Sequence, residues 1–179
     1  VFARRSRLAP ALAALMGGVA LFVSNLNWLD PQITPLVPVL KSYWLMIHVS
    51  VVTASYGFFG ICAACGIASL AATAFGRNLR ELRAINEMAM IVGLALLTAG
   101  IFFGAVWANE SWGRYWGWDP KETWALITMF AYALATHSRH IPRLDGPFAF
   151  DVLSVVCFST VLMTFFGVNY YLSGLHSYG

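Results

Sequence analysis

The chain has 179 residues, of which 59% are hydrophobic and 11% are charged, and its formal net charge is +3. Soluble globular domains carry about 25% charged residues, so this composition excludes an ordinary soluble domain and indicates a membrane protein. The small positive charge does not indicate nucleic acid binding, because the basic residues lie in short clusters between apolar runs rather than on one water-facing surface.

The apolar stretches predict an all-α polytopic membrane protein with a bundle of about five transmembrane helices. Four stretches reach the length of about 20 residues that a bilayer crossing requires, and one is shorter. In chain order they cover residues 8–26, 44–75, 88–108, the shorter 123–136, and 148–171. The chain divides into residues 1–43, the first helix with an outer interfacial segment, and residues 44–179, a membrane domain of about four helices.

The basic residues predict how the helices are oriented in the membrane. Eight of them fall on the side of the N-terminus and three on the other side: Arg4, Arg5, Arg7, Arg77, Arg80, Arg83, Arg139 and Arg143, against Lys41, Arg114 and Lys121. Because basic residues concentrate on the cytoplasmic side, we expect a cytoplasmic N-terminus. Residues 27–43, 107–124 and 172–179 then face outward.

Two connecting segments and a cysteine pair have predicted structural roles. Residues 27–43 contain three prolines and read as an interfacial segment. Residues 76–87 are interpreted as a basic loop, with a short amphipathic helix carrying Leu79, Leu82 and Ile85 on one face as the alternative. Small residues within the predicted helices indicate close helix contacts: Gly57, Gly60, Cys62, Cys65, Gly66 and Cys157. Thiol chemistry is not expected of the cysteines among them, since apolar surroundings disfavour the thiolate. The first residue is not Met, and we expect the chain to be a piece of a longer protein.

The most informative segment lies between the third and fourth predicted helices, in residues 107–124, here called the tryptophan segment. It holds five tryptophans and a tyrosine around a cluster of acidic and basic residues: Trp107, Trp112, Tyr115, Trp116, Trp118 and Trp124, with Arg114, Asp119, Lys121 and Glu122. Aromatic belts are spread over both membrane interfaces, whereas this cluster is concentrated in one segment, so a purely structural belt is the weaker interpretation. The segment predicts a site for a flat, apolar ligand. Asp119 and Pro120 predict the N-cap and first residue of the fourth helix.

Histidines on both sides of the tryptophan segment suggest that the flat ligand contains a metal, with haem the leading candidate. His48 lies one turn into the second predicted helix and His176 lies beyond the last one, so both are expected at the outer surface. Each alone is typical of an interfacial or terminal histidine, but together they match the two neutral imidazoles of a six-coordinate haem iron. His137, near the inner end of the fourth helix, is either a ligand at membrane depth or a side chain that reaches the interface. No role is predicted for His140.

These residues together resemble the WWD-domain haem-handling proteins, specifically the C-terminal, CcsA-like portion of the system II cytochrome c synthetase of the CcsBA type. The resemblance covers nearly the whole chain from Ser42 onward. Four segments carry it: SYWLMIHV around His48, WGRYWGWDPKETWALI at residues 112–127, residues 132–137 with the following Arg139, and GVNYYLSGLHSYG at the end.

The resemblance implies a bacterial inner (plasma) membrane, with the outward-facing site in the periplasm or at the cell exterior. It implies haem b (iron protoporphyrin IX) as the cofactor. It implies that His48 and His176 ligate the iron at an outer site, and that His137 ligates a haem in transit within the membrane. In this scheme the side chains around the porphyrin divide into an aromatic platform, propionate partners and a helix cap: Trp112, Tyr115, Trp116 and Trp118; Arg114 and Lys121; and Asp119. Arg114 and Lys121 could instead pair with acidic side chains of the same segment.

The resemblance also implies an activity, that of a holocytochrome c synthase. Two thiols of a CXXCH motif in apocytochrome c would form thioethers with the vinyl groups of haem b, through orientation rather than through an acid, base or nucleophile of this chain. The transit site of such proteins uses a second membrane histidine, for which this sequence has no candidate. We therefore expect the remaining part of the synthetase, or a partner subunit, to supply it. Membrane lipid, and no nucleic acid, completes the expected partners.

Two other functions stay open from the residues alone. A haem transporter or chaperone without ligation activity would share every residue named above, and covalent haem on a CXXCH substrate would distinguish the two. A b-type di-haem electron-transfer subunit would use His48 and His137 as ligands, although such proteins usually place ligand pairs within facing helices.

Overall fold

A computed structural model describes residues 8–24, 41–76 and 80–172, and every regular element in this part of the chain is helical. The five main helices follow in chain order: α1 Leu8–Ser24, α2 Tyr43–Ala74, α3 Arg80–Trp112, α4 Pro120–Thr136 and α5 Pro147–Leu162. A 3-10 turn, Ser138–His140, follows α4, and a π-helical turn, Met163–Gly167, joins α5 to the short α6, Val168–Tyr171. The predicted all-α class is confirmed.

Three of these helical stretches are long and apolar enough to cross a membrane, which is consistent with the predicted polytopic membrane protein: Tyr43–Ala74, Arg80–Trp112 and Pro147–Tyr171. The helices α1 and α4 have 17 residues each, which is short of the about 20 residues of a perpendicular crossing. The predicted interfacial segment falls mostly outside the described residues.

The start of α3 corrects one expectation from the sequence. Residues 76–87 were expected to form a basic loop, but α3 begins at Arg80, so the loop interpretation is wrong from that residue onward. Leu82 and Asn86 are both buried and Ile85 is half-buried, so the first turns of α3 have a helical side packed against the bundle. These residues form a helix despite their basic composition, because the helical spacing of the apolar side chains gives the first turns of α3 an apolar face to bury. Leu79 lies outside the described residues.

The helices α2 and α3 form the centre of the bundle as a closely packed antiparallel pair. Three glycines of α3 lie directly against α2: a Cβ atom would stand 2.8 Å from the Phe59 ring at Gly93, 2.5 Å from Val52 Cγ2 at Gly100, and 2.6 Å from the His48 ring at Gly104. Glycine at these positions lets the two backbones approach.

Small residues of α2 also pack against its other neighbours, as the sequence predicted for most of them. Cys62 and Cys65 are buried free thiols, and a Cβ at Gly66 would stand 2.8 Å from the Asp151 carbonyl of α5. Gly60 faces Met16 of α1. The prediction for Gly57 is not confirmed, because a Cβ there would meet nothing within 4 Å among the described residues.

Buried polar side chains join α3 to α5 at the end of the bundle where these two helices begin. This end is here called the opposite end, because it lies opposite the end that carries the tryptophan segment. Arg83 donates from Nε and Nη2 to Asp151 Oδ2 at 2.9 and 2.8 Å, and Asp151 is 0% exposed. One turn further along both helices, Asn86 Nδ2 donates to Ser154 Oγ at 2.8 Å. Both bonds join residues at the same sequence separation, so they form two successive polar contacts between parallel helices.

Candidate functional site

The first turn of α4 anchors the loop of residues 113–119, which carries Trp116 and Trp118. Asp119 is the N-cap, as predicted: its carboxylate accepts a hydrogen bond from the Lys121 N–H at 3.0 Å. Glu122 completes a capping box, because its Oε2 accepts from the N–H groups of Gly117 and Asp119 at 2.8 and 3.2 Å. Pro120 occupies the start of the helix, where no N–H is needed. The loop is therefore tied to α4 at two backbone positions.

The aromatic side chains of the tryptophan segment form two edge-to-face pairs rather than one flat floor. Trp107 meets Trp112 with ring centroids 4.8 Å apart and an angle of 64°. Trp116 meets Trp118 at 5.8 Å and 89°. Trp107 is buried at the end of α3, whereas Trp118 is 70% exposed. Only some of these rings are therefore free to cover a ligand.

A cavity of about 220 Å³ opens beside the loop, at the end of the bundle here called the tryptophan end. Residues of α2, α3, α4, the loop and the π-helical turn line it, and its polar and aromatic lining includes His48, Tyr56, Tyr115, Trp116, Lys121 and Glu122. Clefts that enclose a whole drug-sized ligand have about 300–1,000 Å³, so this cavity would enclose part of a ligand of that size. Trp112, Arg114, Trp118 and Asp119 lie outside its lining.

His48 is held in this cavity by groups of α3. Its Nδ1 lies 2.8 Å from the Gly100 carbonyl oxygen, and its ring is nearly parallel to that of Trp107, with centroids 6.4 Å apart and an angle of 10°. A carbonyl oxygen only accepts hydrogen bonds, so Nδ1 carries the hydrogen, and in the neutral ring Nε2 then holds the lone pair. The imidazole thus has the tautomer of a metal ligand that binds through Nε2.

The two candidate propionate partners lie in different surroundings. Lys121 lines the cavity, and burial lowers the pKa of its ammonium group, while the charge of Asp119 acts in the opposite direction. Arg114 is exposed, and its guanidinium lies over Gly117, where a Cβ would stand 3.1 Å from Nε. Of the two, Lys121 is the cation that faces the cavity.

The remaining histidines lie away from the cavity or outside the described residues. His137 is the C-cap of α4, at the opposite end of the bundle from His48. It is exposed, and its Nδ1 lies 2.8 Å from the Ala133 carbonyl oxygen and 3.2 Å from Thr136 Oγ1. His140 is exposed on the turn that follows. His176 lies outside the described residues, so its approach to His48 stays a prediction.

The cavity also contains residues that the sequence analysis did not single out. Thr53 and Tyr56 of α2, Thr164 and Phe165 of the π-helical turn and Asn169 of α6 line it. Thr164 Oγ1 lies 3.2 Å from Thr128 Oγ1 of α4. A signal was available, since Thr164 and Asn169 are polar residues within a strongly apolar stretch.

The fold and the site define an all-helical, polytopic membrane protein whose bundle holds a histidine and aromatic side chains around a cavity at one end. Residues 3–176 match the sequence profile described as "Cytochrome C assembly protein". Because this match spans nearly the whole chain, the chain belongs to the cytochrome c assembly protein family.

The similar proteins include longer ones. The chain is 50% identical over 186 residues to Protein NrfI of Wolinella succinogenes, an alignment that covers 99% of the chain and 21% of that protein. It is 40% identical over 156 residues to the cytochrome c biogenesis protein CcsA of Chlamydomonas reinhardtii, covering 83% of the chain and 44% of that protein. For CcsA of Guillardia theta the identity is 37% over 200 residues, covering 94% and 66%. The chain thus spans between about a fifth and two thirds of the length of these relatives.

Proposed function

We propose that this chain is the haem-handling membrane part of a system II cytochrome c synthetase of the WWD type. It would hold haem b at the outer face of a bacterial inner membrane and present it for covalent attachment to the CXXCH thiols of apocytochrome c. The observation that carries the proposal is the cavity that brings His48 together with Tyr115, Trp116 and Lys121 of the tryptophan segment. Membership of the cytochrome c assembly family supports it.

The chemistry of the cavity lining fits one edge of a haem. His48 offers an Nε2 lone pair, since its Nδ1 is engaged by the Gly100 carbonyl. Tyr115 and Trp116 offer aromatic surface, and Lys121 offers a cation for a propionate. The volume of about 220 Å³ would leave part of the porphyrin outside the cavity. A partly exposed haem suits a reaction in which a peptide must reach the vinyl groups.

The proposed reaction needs positioning more than it needs acid–base groups. Haem b, when bound, supplies two vinyl groups, and each substrate thiol adds across one of them, so the S–H hydrogen ends on a vinyl carbon and no oxidant is consumed. In this chain His48 and His176 would hold the iron. Tyr115 and Trp116 would cover one porphyrin face, and Lys121 would hold a propionate. Orientation of this kind contributes up to about 7–11 kcal/mol to lowering a barrier.

His137 would serve a separate, transit site within the membrane. Its Nδ1 is bonded to the Ala133 carbonyl, which leaves the Nε2 lone pair of the neutral ring for a metal. Since a second ligand is needed there, we propose that the remaining part of the synthetase, or a partner subunit, supplies it.

The test uses the complete synthetase, expressed with an apocytochrome c and purified in detergent, as wild type, His48→Ala and His176→Ala. We expect the wild type to show the ferrous bands of bis-histidine haem b and to produce covalent haem on the CXXCH substrate. Each substitution should weaken both signals, and added imidazole should restore the bands. His140→Ala, an exposed histidine at the opposite end, is the matched control and should behave as wild type.

The outcomes separate the competing functions. Haem bands that depend on His48, without any covalent haem on the substrate, would indicate a transporter or chaperone. Bands that ignore His48 and His176 but depend on His137 would move the main site to the opposite end of the bundle. A complete complex that contains no haem would refute the central proposal.

A further inference from the structure

We propose that Gly100 and Gly104 of α3 form a seat that fixes both the tautomer and the ring plane of His48, so that Nε2 is the nitrogen presented to the iron. We assign these two glycines a positioning role, which they exert through His48; Gly104 also belongs to the cavity lining. The inference rests on the proposed function in one respect, namely that His48 binds haem iron. The seat itself is a property of the chain alone.

Gly104 provides the space for the imidazole ring. A Cβ atom at this position would stand 2.6 Å from His48 Cε1 and 2.7 Å from Nδ1. Both atoms belong to a rigid ring that a single CH₂ group joins to the backbone of α2. The ring therefore cannot move aside as the end of a long flexible side chain would. Any other residue at position 104 must therefore displace His48 or push the two helices apart.

Gly100 provides the hydrogen bond that sets the tautomer. Its carbonyl oxygen lies 2.8 Å from His48 Nδ1, and a carbonyl has two lone pairs, so it can accept this bond beside its bond within the helix. The bond needs a close approach of the helices, which glycine at the same position allows: a Cβ at Gly100 would stand 2.5 Å from Val52 Cγ2. One residue thus supplies both the acceptor and the space.

Trp107 completes the stripe of α3 that faces His48. Gly100, Gly104 and Trp107 are four and three residues apart, the spacing of side chains on one face of a helix. The Trp107 ring is within 10° of parallel to the imidazole and is buried. The stripe therefore offers, in succession, an acceptor, a gap that accommodates the ring, and an aromatic surface parallel to it.

The seat has a chemical consequence for the ligand. A hydrogen bond from Nδ1 to a backbone carbonyl makes Nε2 more basic and orients the ring, and loss of such a partner typically lowers metal affinity by about 10- to 100-fold. The same bond is present in the protein without haem, because it depends only on His48 and Gly100. The proposal can therefore be tested both with and without the cofactor.

The first experiment compares Gly104→Ala with Gly57→Ala in the complete synthetase. Both are helical glycines, but a Cβ at position 57 meets nothing within 4 Å among the described residues, so it is the matched control. We expect Gly104→Ala to reduce occupancy by low-spin haem by about 10-fold or more, with recovery on adding imidazole, while Gly57→Ala keeps the wild-type spectrum. A folded Gly104→Ala protein with wild-type spectrum and haem affinity would overturn the proposal.

The second experiment needs neither a variant of the seat nor haem. In the haem-free, ¹⁵N-histidine-labelled complex in lipid, solid-state NMR distinguishes the two neutral tautomers, and His48→Ala identifies the His48 signal. We expect His48 to carry its hydrogen on Nδ1; a hydrogen on Nε2 would overturn the seat. This result holds whether or not Gly104→Ala folds. If the tautomer is as expected but His48→Ala leaves the haem spectrum unchanged, the proposed function fails and the seat stands.

Discussion

The two ends of the helix bundle place their polar side chains in opposite ways. At the opposite end, polar groups bind one another between helices: Asp151 accepts from Arg83, and Asn86 donates to Ser154. At the tryptophan end, His48 and Lys121 line a cavity, and His48 is oriented by the hydrogen bond that its Nδ1 donates to the Gly100 carbonyl. The polar side chains named at one end therefore bond one another between helices, whereas His48 and Lys121 at the other end face a space.

This difference teaches which polar residues hold the bundle together and which are available to a ligand. Removing one partner of a buried charged contact between two helices is strongly destabilising, because the other charge stays buried without compensation. A polar side chain on a cavity wall is available to bind and orient a ligand that enters the cavity. We therefore expect substitutions in the buried contacts between α3 and α5 to change stability and leave the haem spectrum intact. Substitutions of the polar side chains that line the cavity should change the haem spectrum with little effect on stability.

The largest effect is expected from Asp151→Ala. Its side chain is 0% exposed and that of Arg83 is 19% exposed, so the substitution leaves a largely buried cation without its carboxylate. Breaking such a pair typically costs about 3–5 kcal/mol. Denaturant unfolding of the detergent-solubilised complex should show this loss, while the protein that remains folded keeps its haem bands.

A second ion pair at the same end is the control for Asp151→Ala. Arg139 and Glu87 also pair between α3 and the turn after α4, but their side chains are 60% and 42% exposed. Exposed pairs contribute about 0–1 kcal/mol, so Glu87→Ala should leave stability nearly unchanged. An Asp151→Ala protein as stable as Glu87→Ala would show that burial does not distinguish the two pairs.

The next effect concerns Lys121 at the tryptophan end. If it binds a propionate, Lys121→Gln removes a charge-assisted hydrogen bond worth about 1.5–3 kcal/mol, and haem affinity should fall by about 10-fold or more. Arg114→Gln is the matched control, since Arg114 is exposed and lies outside the cavity lining. Titration of the haem-free complex with haem measures both. Equal losses for the two variants would contradict the assignment of Lys121 by its position in the cavity.

A smaller effect is expected from the cap of α4. Asp119→Ala removes the acceptor of the Lys121 N–H, and loss of an N-cap typically costs about 0.5–2 kcal/mol. Asp119→Asn keeps an acceptor at the same position and should stay close to wild type. Because the capped turn also anchors the loop that carries Tyr115 and Trp116, we expect Asp119→Ala to lower haem occupancy as well. If the Asp119→Ala and Asp119→Asn proteins have the same unfolding midpoint, the Asp119 side chain does not stabilise α4 as an N-cap.

Much of the fold could be predicted from the sequence, and its errors have a physical pattern. Apolar length gave the helices, and Asp119 with Pro120 gave the start of α4, because both signals are local. The prediction of a basic loop at residues 76–87 was wrong from Arg80 onward. It relied on the charged residues, whereas the helical spacing of the apolar residues stabilises a helix only once they pack against the rest of the bundle. The contact predicted for Gly57 is not found among the described residues, since a glycine in a helix does not show by itself whether a neighbour faces it.

The site was predictable in its residue types but not in its geometry. His48, Tyr115, Trp116 and Lys121 were all named from the sequence, and the cavity brings them together. The bond from His48 to Gly100 joins residues far apart in the chain, so no local pattern could indicate it. The contributions of Thr164 and Asn169 depend on the π-helical turn, whose extra residue per turn changes which side chains face α2 and α4.

The smallest predicted effect tests what Trp118 contributes to the tryptophan end. Trp118 has a φ of +55°, a conformation that costs a residue with a Cβ about 1–2 kcal/mol. Trp118→Gly relieves this cost and Trp118→Ala keeps it, so the glycine variant should be more stable than the alanine variant by about 1 kcal/mol, as measured by unfolding midpoints. Both variants remove the Trp118 ring that packs against Trp116. An equal loss of haem occupancy, or of haem transfer to apocytochrome c, in both variants would therefore be due to the missing ring and not to the backbone. If the alanine variant is the more stable, backbone strain is not stored at this position. If neither variant affects haem or transfer, the exposed ring is not part of the site, and the cavity lining alone accounts for the difference between the two ends.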